Sequence, residues 1–294
     1  MTTLLMNRDR KVRATSGEKQ PITFGRVITY IGLVFWALVS LFPVYWMLTF
    51  GLKNNAEIYG ENVIGLPRYW LFSNYESAMK VGNIGRYFLN STIVAVATII
   101  IVLIASFMAT YAMTRLVWKR RKTMNKFFML GLTIPIHASV VPIYIILARL
   151  SWLNTYGAII IPYSAFSLSM GILICNGFMN DIPYDLDEAA FLDGCGVWGI
   201  FFRVIVPLMM PATATVGIYT FLQCWNELMF ANVFVKTPEI RTLPVGIQAL
   251  CGQYTTEWGP IGAALSIATI PTLLVYVFLS KRIQAGFIAG AVKG

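Results

Sequence analysis

Long apolar runs separated by short polar stretches dominate this chain. The runs cover roughly residues 27–50, 92–113, 127–150, 157–178, 212–235 and 261–280. A helix rises 1.5 Å per residue and a bilayer core is about 30 Å thick, so a span needs about 20 apolar residues. Each run meets that length. None alternates apolar with polar positions, which argues against the strands of a membrane barrel. Backbone groups in lipid must bond within their own segment, so the runs predict six transmembrane helices and an all-α fold. The first run exceeds the 7–15 residues of a signal-peptide core, and no small-residue cleavage site follows it, so it reads as a retained helix.

Composition sharpens this. Hydrophobic residues make up 57% and charged residues 12% of the 294, against about 25% charged in ordinary soluble domains. The net charge of +10 does not point to nucleic acid, because the positive residues lie between the apolar runs. Six of the 23 lysines and arginines fall in residues 1–26 and six more in 114–126. The positive-inside rule then puts both termini in the cytoplasm, with 1–26 and 281–294 as tails. Segments 51–91, 151–156 and 236–260 face outward. The cysteines, Cys175, Cys195, Cys224 and Cys251, form no CxxC pair, and with one histidine they make no metal site.

The cytoplasmic segment 179–211 breaks the basic pattern. It holds Asp181, Asp185, Asp187, Glu188 and Asp193 against Arg203 alone, and an acidic surface there suits docking of a protein. Pro183 and the acids favour a helix start, and Gly194 suits a left-handed helix end. Pro207 and Pro211 are expected to separate this unit from the fifth span.

The same stretch, NDIPYDLDEAAFLDGCGVWGIFFRVIVPLMMP from Asn180 to Pro211, resembles the EAA motif of ABC importer membrane subunits, EAA-x3-G-x9-I-x-L-P. Glu188, Ala189, Ala190, Gly194 and Pro207 match, and Val204 and Val206 stand where the motif has Ile and Leu. Further pieces resemble the carbohydrate-uptake branch, of the maltose-permease G-subunit type. They include Pro43 and Trp46, Lys53 and Glu57, Asn90-Ser91, Trp225-Asn226-Glu227, Leu243-Pro244-Val245-Gly246 and the ending Gly290–Gly294. His137, Tyr184 and Asp185 depart from the usual pattern.

The resemblance implies the transmembrane domain of a type I ABC importer in a bacterial inner membrane. Its substrate would be a sugar, most simply an oligosaccharide, carried by alternating access. It implies that Glu188, Ala189, Ala190, Asp193, Gly194 and Pro207 form the coupling helix region seated in an ATPase groove. The partners would be a second membrane subunit, an ATPase dimer and an extracytoplasmic sugar-binding protein. No G-x-x-x-x-G-K-[ST] loop is present, so ATP and Mg would sit on the ATPases. No HExxH or GxSxG marks an enzyme.

Glu227 is the one acid within an expected span, and intramembrane charges usually face an interior or a water-filled path. Tyr219 and Gln223 share its helix and Asn226 adjoins it. Aromatic and amide groups suit a sugar's C–H faces and hydroxyls, so these four are candidates for the pathway. The alternative is that Asn226 and Glu227 lock the fifth span to its neighbours without touching substrate. His137, between Pro135 and Pro142, is expected to satisfy a freed carbonyl. Ser164, Ser167 and Ser169 are expected to serve helix packing. Tyr254 and Trp258 are candidates for contact with the binding protein. The competing readings are a stand-alone channel, which requires neither ATP nor the acidic loop, and an ABC importer subunit for a non-sugar solute.

Overall fold

The computed structural model describes residues 24–60, 62–252 and 256–291, with side chains as far as 278 in the last helix. Every regular element among the described residues is helical. The chain divides into two compact units, Met1–Trp46 and Met47–Gly294. Within the first, α1 (Phe24–Phe50) begins as an apolar helix containing Pro43, with Phe42 and Tyr45 in ring contact.

The second unit carries the rest. Short helices α2 (Asn55–Tyr59) and α3 (Ser73–Lys80) lead into the long α4 (Ile84–Thr114). Then come α5 (Arg121–Leu130), α6 (Val140–Arg149) and α7 (Gly157–Asn180). The loop helix α8 (Asp185–Leu192) precedes α9 (Val197–Ile200), a π turn (Phe201–Ile205) and α10 (Val206–Leu208). The chain ends with α11 (Met210–Asn226), α12 (Met229–Phe234), α13 (Leu243–Ala249) and α14 (Trp258–Ala291).

Helix α4 is the spine. It packs on α7 where small residues let the backbones close in: a Cβ on Gly171 would stand 3.1 Å from Val102 and 3.2 Å from Ser106. Small residues serve this purpose in membranes because lipid offers no hydrophobic drive to press helices together. Ser164, Ser167 and Ser169 of α7 are all buried. One end of α4 gathers residues far along the chain. Asn90 donates to the carbonyls of Glu239 and Arg241, both at 2.9 Å, and accepts from Tyr156. Ser91 accepts the backbone N–H of Leu243 at 2.8 Å. The other end, at Arg115, meets the turn after α7.

Among the described residues four helices are long and apolar enough to span, Val27–Phe50, Ile84–Thr114, Gly157–Asn180 and Trp258–Phe278, and two bent pairs, each taken as one span, bring the number to six. The bends correct the expected continuous helices. Run 127–150 is two helical pieces meeting at 94°. Ile134 and Pro135 are extended there, because proline lacks an N–H and drives its predecessor out of the helical region. Run 212–235 is broken as well: α11 stops at Asn226 because Glu227 is extended, with φ −76° and ψ 126°. The second span starts at Ile84, earlier than expected. The last helix continues to Ala291, through most of the expected 281–294 tail. Of the N-terminal tail, residues 1–23 lie outside the described residues.

His137 does not serve the role expected of it. Its side chain is exposed, and the carbonyl that Pro135 frees, that of Gly131 four residues earlier, takes the Ile134 N–H at 3.4 Å. A short 3-10 turn from Gly131 to Thr133 brings that nearer donor into place.

Candidate functional site

Two places gather the candidate residues. The first is the loop after α7. Helix α8 carries Asp185, Asp187 and Glu188 in its first turn, where carboxylates suit the positive end of the dipole. It ends with Gly194 at φ +85°, a left-handed backbone that L side chains rarely adopt. Glu188, Ala189, Asp193, Gly194 and Pro207 are exposed, and Ala190 turns partly onto the core. Beside the carboxylates, Tyr184, Phe191 and Leu192 are 58%, 70% and 85% exposed. Together with Arg115, Asp187 and Glu188 they line a concavity of about 460 Å³.

Beyond Gly194, α9 to α10 bury Ile200, Phe201 and Ile205 against the bundle and leave Val197, Trp198 and Phe202 exposed. The Tyr111 hydroxyl donates to the Val197 carbonyl at 3.2 Å, tying this stretch to α4. The expected separator Pro207 lies inside this helical run, in the first turn of α10. The break falls instead at Met209, where the chain bends 72° and Pro211 opens α11.

Sequence reasoning treated Arg115 only as a topology charge. Its guanidinium donates to the carbonyls of Met179 (3.0 Å) and Ile182 (2.5 Å) and lies 3.1 Å from an Asp187 carboxylate oxygen. It also stacks on the Tyr184 ring, 4.0 Å from its centre. Burial pushes the Asp187 carboxyl above the usual carboxylate range, and the Arg115 charge opposes that rise. Tyr184 and Asp185, singled out as departures, thus differ in use: the first holds the loop, the second stays exposed.

The second place is a cleft of about 40 Å³ between α7 and α11, with Tyr163, Ser167, Tyr219, Gln223 and Glu227 on its walls. That is room for a few waters at most. Gln223 donates to the Tyr219 hydroxyl at 2.9 Å. Glu227 accepts from the Tyr163 hydroxyl and from the N–H groups of Phe230 (2.8 Å) and Ala231 (3.3 Å). Its carboxylate therefore ties α11 to α7 and supplies the acceptor for the first turn of α12. Asn226 is not part of this cleft. It is exposed and donates to the Leu222 carbonyl one turn back. Trp225 is buried between Phe88 and Phe221 and donates to the Ala268 carbonyl of α14 at 2.9 Å. The triplet thus sends three neighbouring side chains in three directions.

At the end of the bundle where Asn90 lies, Trp258 is half-buried, packs edge-on to Tyr59 and donates its backbone N–H to the Asn55 side-chain oxygen at 3.0 Å. Tyr254 lies outside the described residues. Nearby, Lys53 is buried and donates to the carbonyls of Asn62 and Val63. Glu57 accepts from Asn62 and from the Arg68 backbone N–H. Burial works against the Glu57 charge, but those hydrogen bonds and the nearby Lys53 outweigh it and hold the carboxyl below its ordinary range.

Residues 101–288 match the family described as "Binding-protein-dependent transport system inner membrane component". The chain belongs to that family. Among relatives of this inner membrane component is a putative ABC transporter permease of a Caldicellulosiruptor species, 36% identical over 90% of this chain and 96% of its own. The sulfoquinovosyl glycerol transport system permease of Agrobacterium fabrum is 33% identical over 96% of this chain and 99% of its own. The trehalose/maltose transport system permease of Thermococcus litoralis is 31% identical over 92% and 97%. A bacterial ABC transporter for import of the acidic polysaccharide alginate shares the fold, with a TM-score of 0.78 at 20% identity over 91% of this chain and 99% of that one. The chain is thus a multi-pass membrane permease with the transmembrane fold of an ABC importer.

Proposed function

We propose that this permease forms half of the translocation pathway of an ATP-driven importer of sugars, oligosaccharides or glycosides. The observation that carries the reading is the cargo named for full-length relatives. Sulfoquinovosyl glycerol, trehalose/maltose and diacetylchitobiose all carry sugar rings. A second membrane subunit completes the pathway, two ATPase subunits hold ATP and Mg, and an extracytoplasmic binding protein delivers the sugar. The α8 end faces the cytoplasm, with both termini on that side, in keeping with the basic residues at 114–126.

The coupling surface is Glu188, Ala189, Ala190, Asp193 and Gly194, flanked by Phe191 and Leu192, and Pro207 lies in the helical run behind it. A mixed apolar and acidic surface of this kind suits a protein groove better than water. ATP binding closes the ATPase pair and α8 carries the movement into α4 and α7. The cleft lined by Tyr219, Gln223 and Glu227 is too small for a sugar, so it serves as one wall of a path completed by the second subunit. Trp258 is a candidate contact for the binding protein, as is Tyr254 from the sequence alone.

The test is a gentle-detergent purification of the tagged chain from its native membrane, with wild type beside Gly194→Asp, followed by sugar uptake into proteoliposomes. The reading predicts that ATPase and a second permease co-purify with wild type, and that Gly194→Asp loses the ATPase. A wild-type chain that purifies alone and conducts solute without ATP overturns it in favour of a channel.

A further inference from the structure

Helix α8 is poorly anchored by its own residues. None of the eight from Asp185 to Leu192 is buried, although a coupling element must have a fixed direction if a push on it is to move anything. Ala190 packs partly on the core, and the polar attachment lies outside the helix, in one guanidinium. The Arg115 side chain is 3% exposed and sits just past the end of α4. It reaches two carbonyls at the end of α7, those of Met179 and Ile182, the Asp187 carboxylate on α8, and the face of the Tyr184 ring. The Tyr184 hydroxyl then donates to the Thr114 carbonyl at 3.1 Å, closing the ring back onto α4.

We propose that Arg115 is a positioning residue for ATPase coupling: it clamps α8 to the ends of α4 and α7, so that a force on α8 reaches both membrane helices as one rigid movement. The proposal rests on the importer reading above and adds to it the part that aims the coupling helix.

Three points separate a clamp from a mere inward-facing charge. First, the partners need a plane with several donors and an aromatic-facing surface, which arginine has and lysine lacks. Second, a buried ion pair contributes little net stability, because removing both charges from water offsets their attraction. Burial raises the Asp187 carboxyl despite the neighbouring guanidinium, in keeping with such a cost. What such a pair specifies is geometry. Third, every partner falls between Thr114 and Asp187, at the junction of α4, α7 and α8, and not along the apolar faces that hold the bundle together.

The experiment compares wild type, Arg115→Lys and Asp187→Asn as complete complexes in proteoliposomes. It reads ATPase recovery, thermal unfolding, and sugar moved per ATP hydrolysed. Arg115→Lys keeps the charge that fixes topology. The expected result is recovery and unfolding temperature as in wild type, with transport per ATP lowered about tenfold. Asp187→Asn leaves both carbonyl bonds to Arg115 in place and is expected to lower the ratio about threefold. A wild-type ratio in a fully assembled Arg115→Lys complex overturns the clamp. If Arg115→Lys does not assemble, Asp187→Asn decides: a lowered ratio at full assembly supports the clamp, and a wild-type ratio refutes it. Failure of the importer reading shows separately, as a wild-type complex with no ATP-driven uptake.

Discussion

The two candidate regions use their acids in opposite ways. At α8, Glu188 and Asp193 stand in solvent beside exposed Phe191 and Leu192, and neither has an ion-pair partner among the described residues. In the cleft, Glu227 is taken up by Tyr163, Phe230 and Ala231. A surface meant for another protein keeps its groups unspent until that protein arrives. A group at a helix break is consumed in holding the break. The difference predicts that changes at the cleft damage the fold first, whereas changes at the exposed acids of α8 spare the fold and damage assembly.

The largest effect is expected at Glu227. Glu227→Leu leaves one hydroxyl and two N–H donors without their acceptor in a water-poor site. Each such loss costs about 1–3 kcal/mol, so a total of about 3 kcal/mol or more is expected, with a clear fall in the unfolding temperature in detergent. Glu227→Gln keeps an acceptor oxygen and should lose less than half as much. Asn226→Ala, one residue away, removes only an exposed bond to Leu222 and should stay within about 0.5 kcal/mol. Equal losses at 226 and 227 would break the comparison.

Gly194→Ala comes next. No atom stands within 4 Å of the added Cβ, so packing does not resist it. The backbone does, since a left-handed conformation costs an L residue about 1–2 kcal/mol. The loss is local to the end of α8 and should appear as faster hydrogen exchange there, with the global unfolding temperature held.

How far the sequence reveals these two regions follows from how each is built. The α8 loop is contiguous, so spacing alone exposes its helix, its glycine end and its acids. The cleft is assembled from α7 and α11 and the start of α12. Apart from Asn232, Leu228 to Val235 are apolar, so the apolar run resumes directly after Glu227 and hides the break. The bend at Ile134–Pro135 did have a signal, the proline itself, but the apolar length on both sides outweighed it. Arg115 had no signal beyond its charge, because its partners lie 64 to 72 positions further along the chain and meet only in the fold.

A smaller effect is expected from pH at the other end of the bundle. Glu57 is held below its ordinary range in the fold, so its stabilising contribution is complete above the unfolded-state value. It is lost as pH falls through the lower folded value. Lys53 and the Arg68 and Tyr69 backbone face it. Protection of segment 54–69 against hydrogen exchange, referenced to the intrinsic rate at each pH, should therefore fall on acidification in wild type. In Glu57→Gln protection should be low already at neutral pH and less dependent on pH. A wild-type acid response in Glu57→Gln would assign that response to another group.

The smallest effect on the fold, and the sharpest test of the contrast, is expected from Glu188→Lys. Glu188 is exposed and has no ion-pair partner among the described residues, so reversing its charge should leave the unfolding temperature of the isolated permease within the change of about 0.5 kcal/mol typical of surface sites. It sits in the first turn of α8, where a positive charge opposes the helix dipole, and that penalty is small in water. On the proposed coupling role, its cost appears when an ATPase groove closes over it, because a buried charge of the wrong sign must be dehydrated without a partner. ATPase recovery in a gentle-detergent pull-down should fall at least tenfold while membrane levels hold. Normal recovery and normal uptake in Glu188→Lys would mean that the exposed acids of α8 are only a solvated helix start. The docking surface would then have to be sought in the aromatic residues around Phe191 and Trp198.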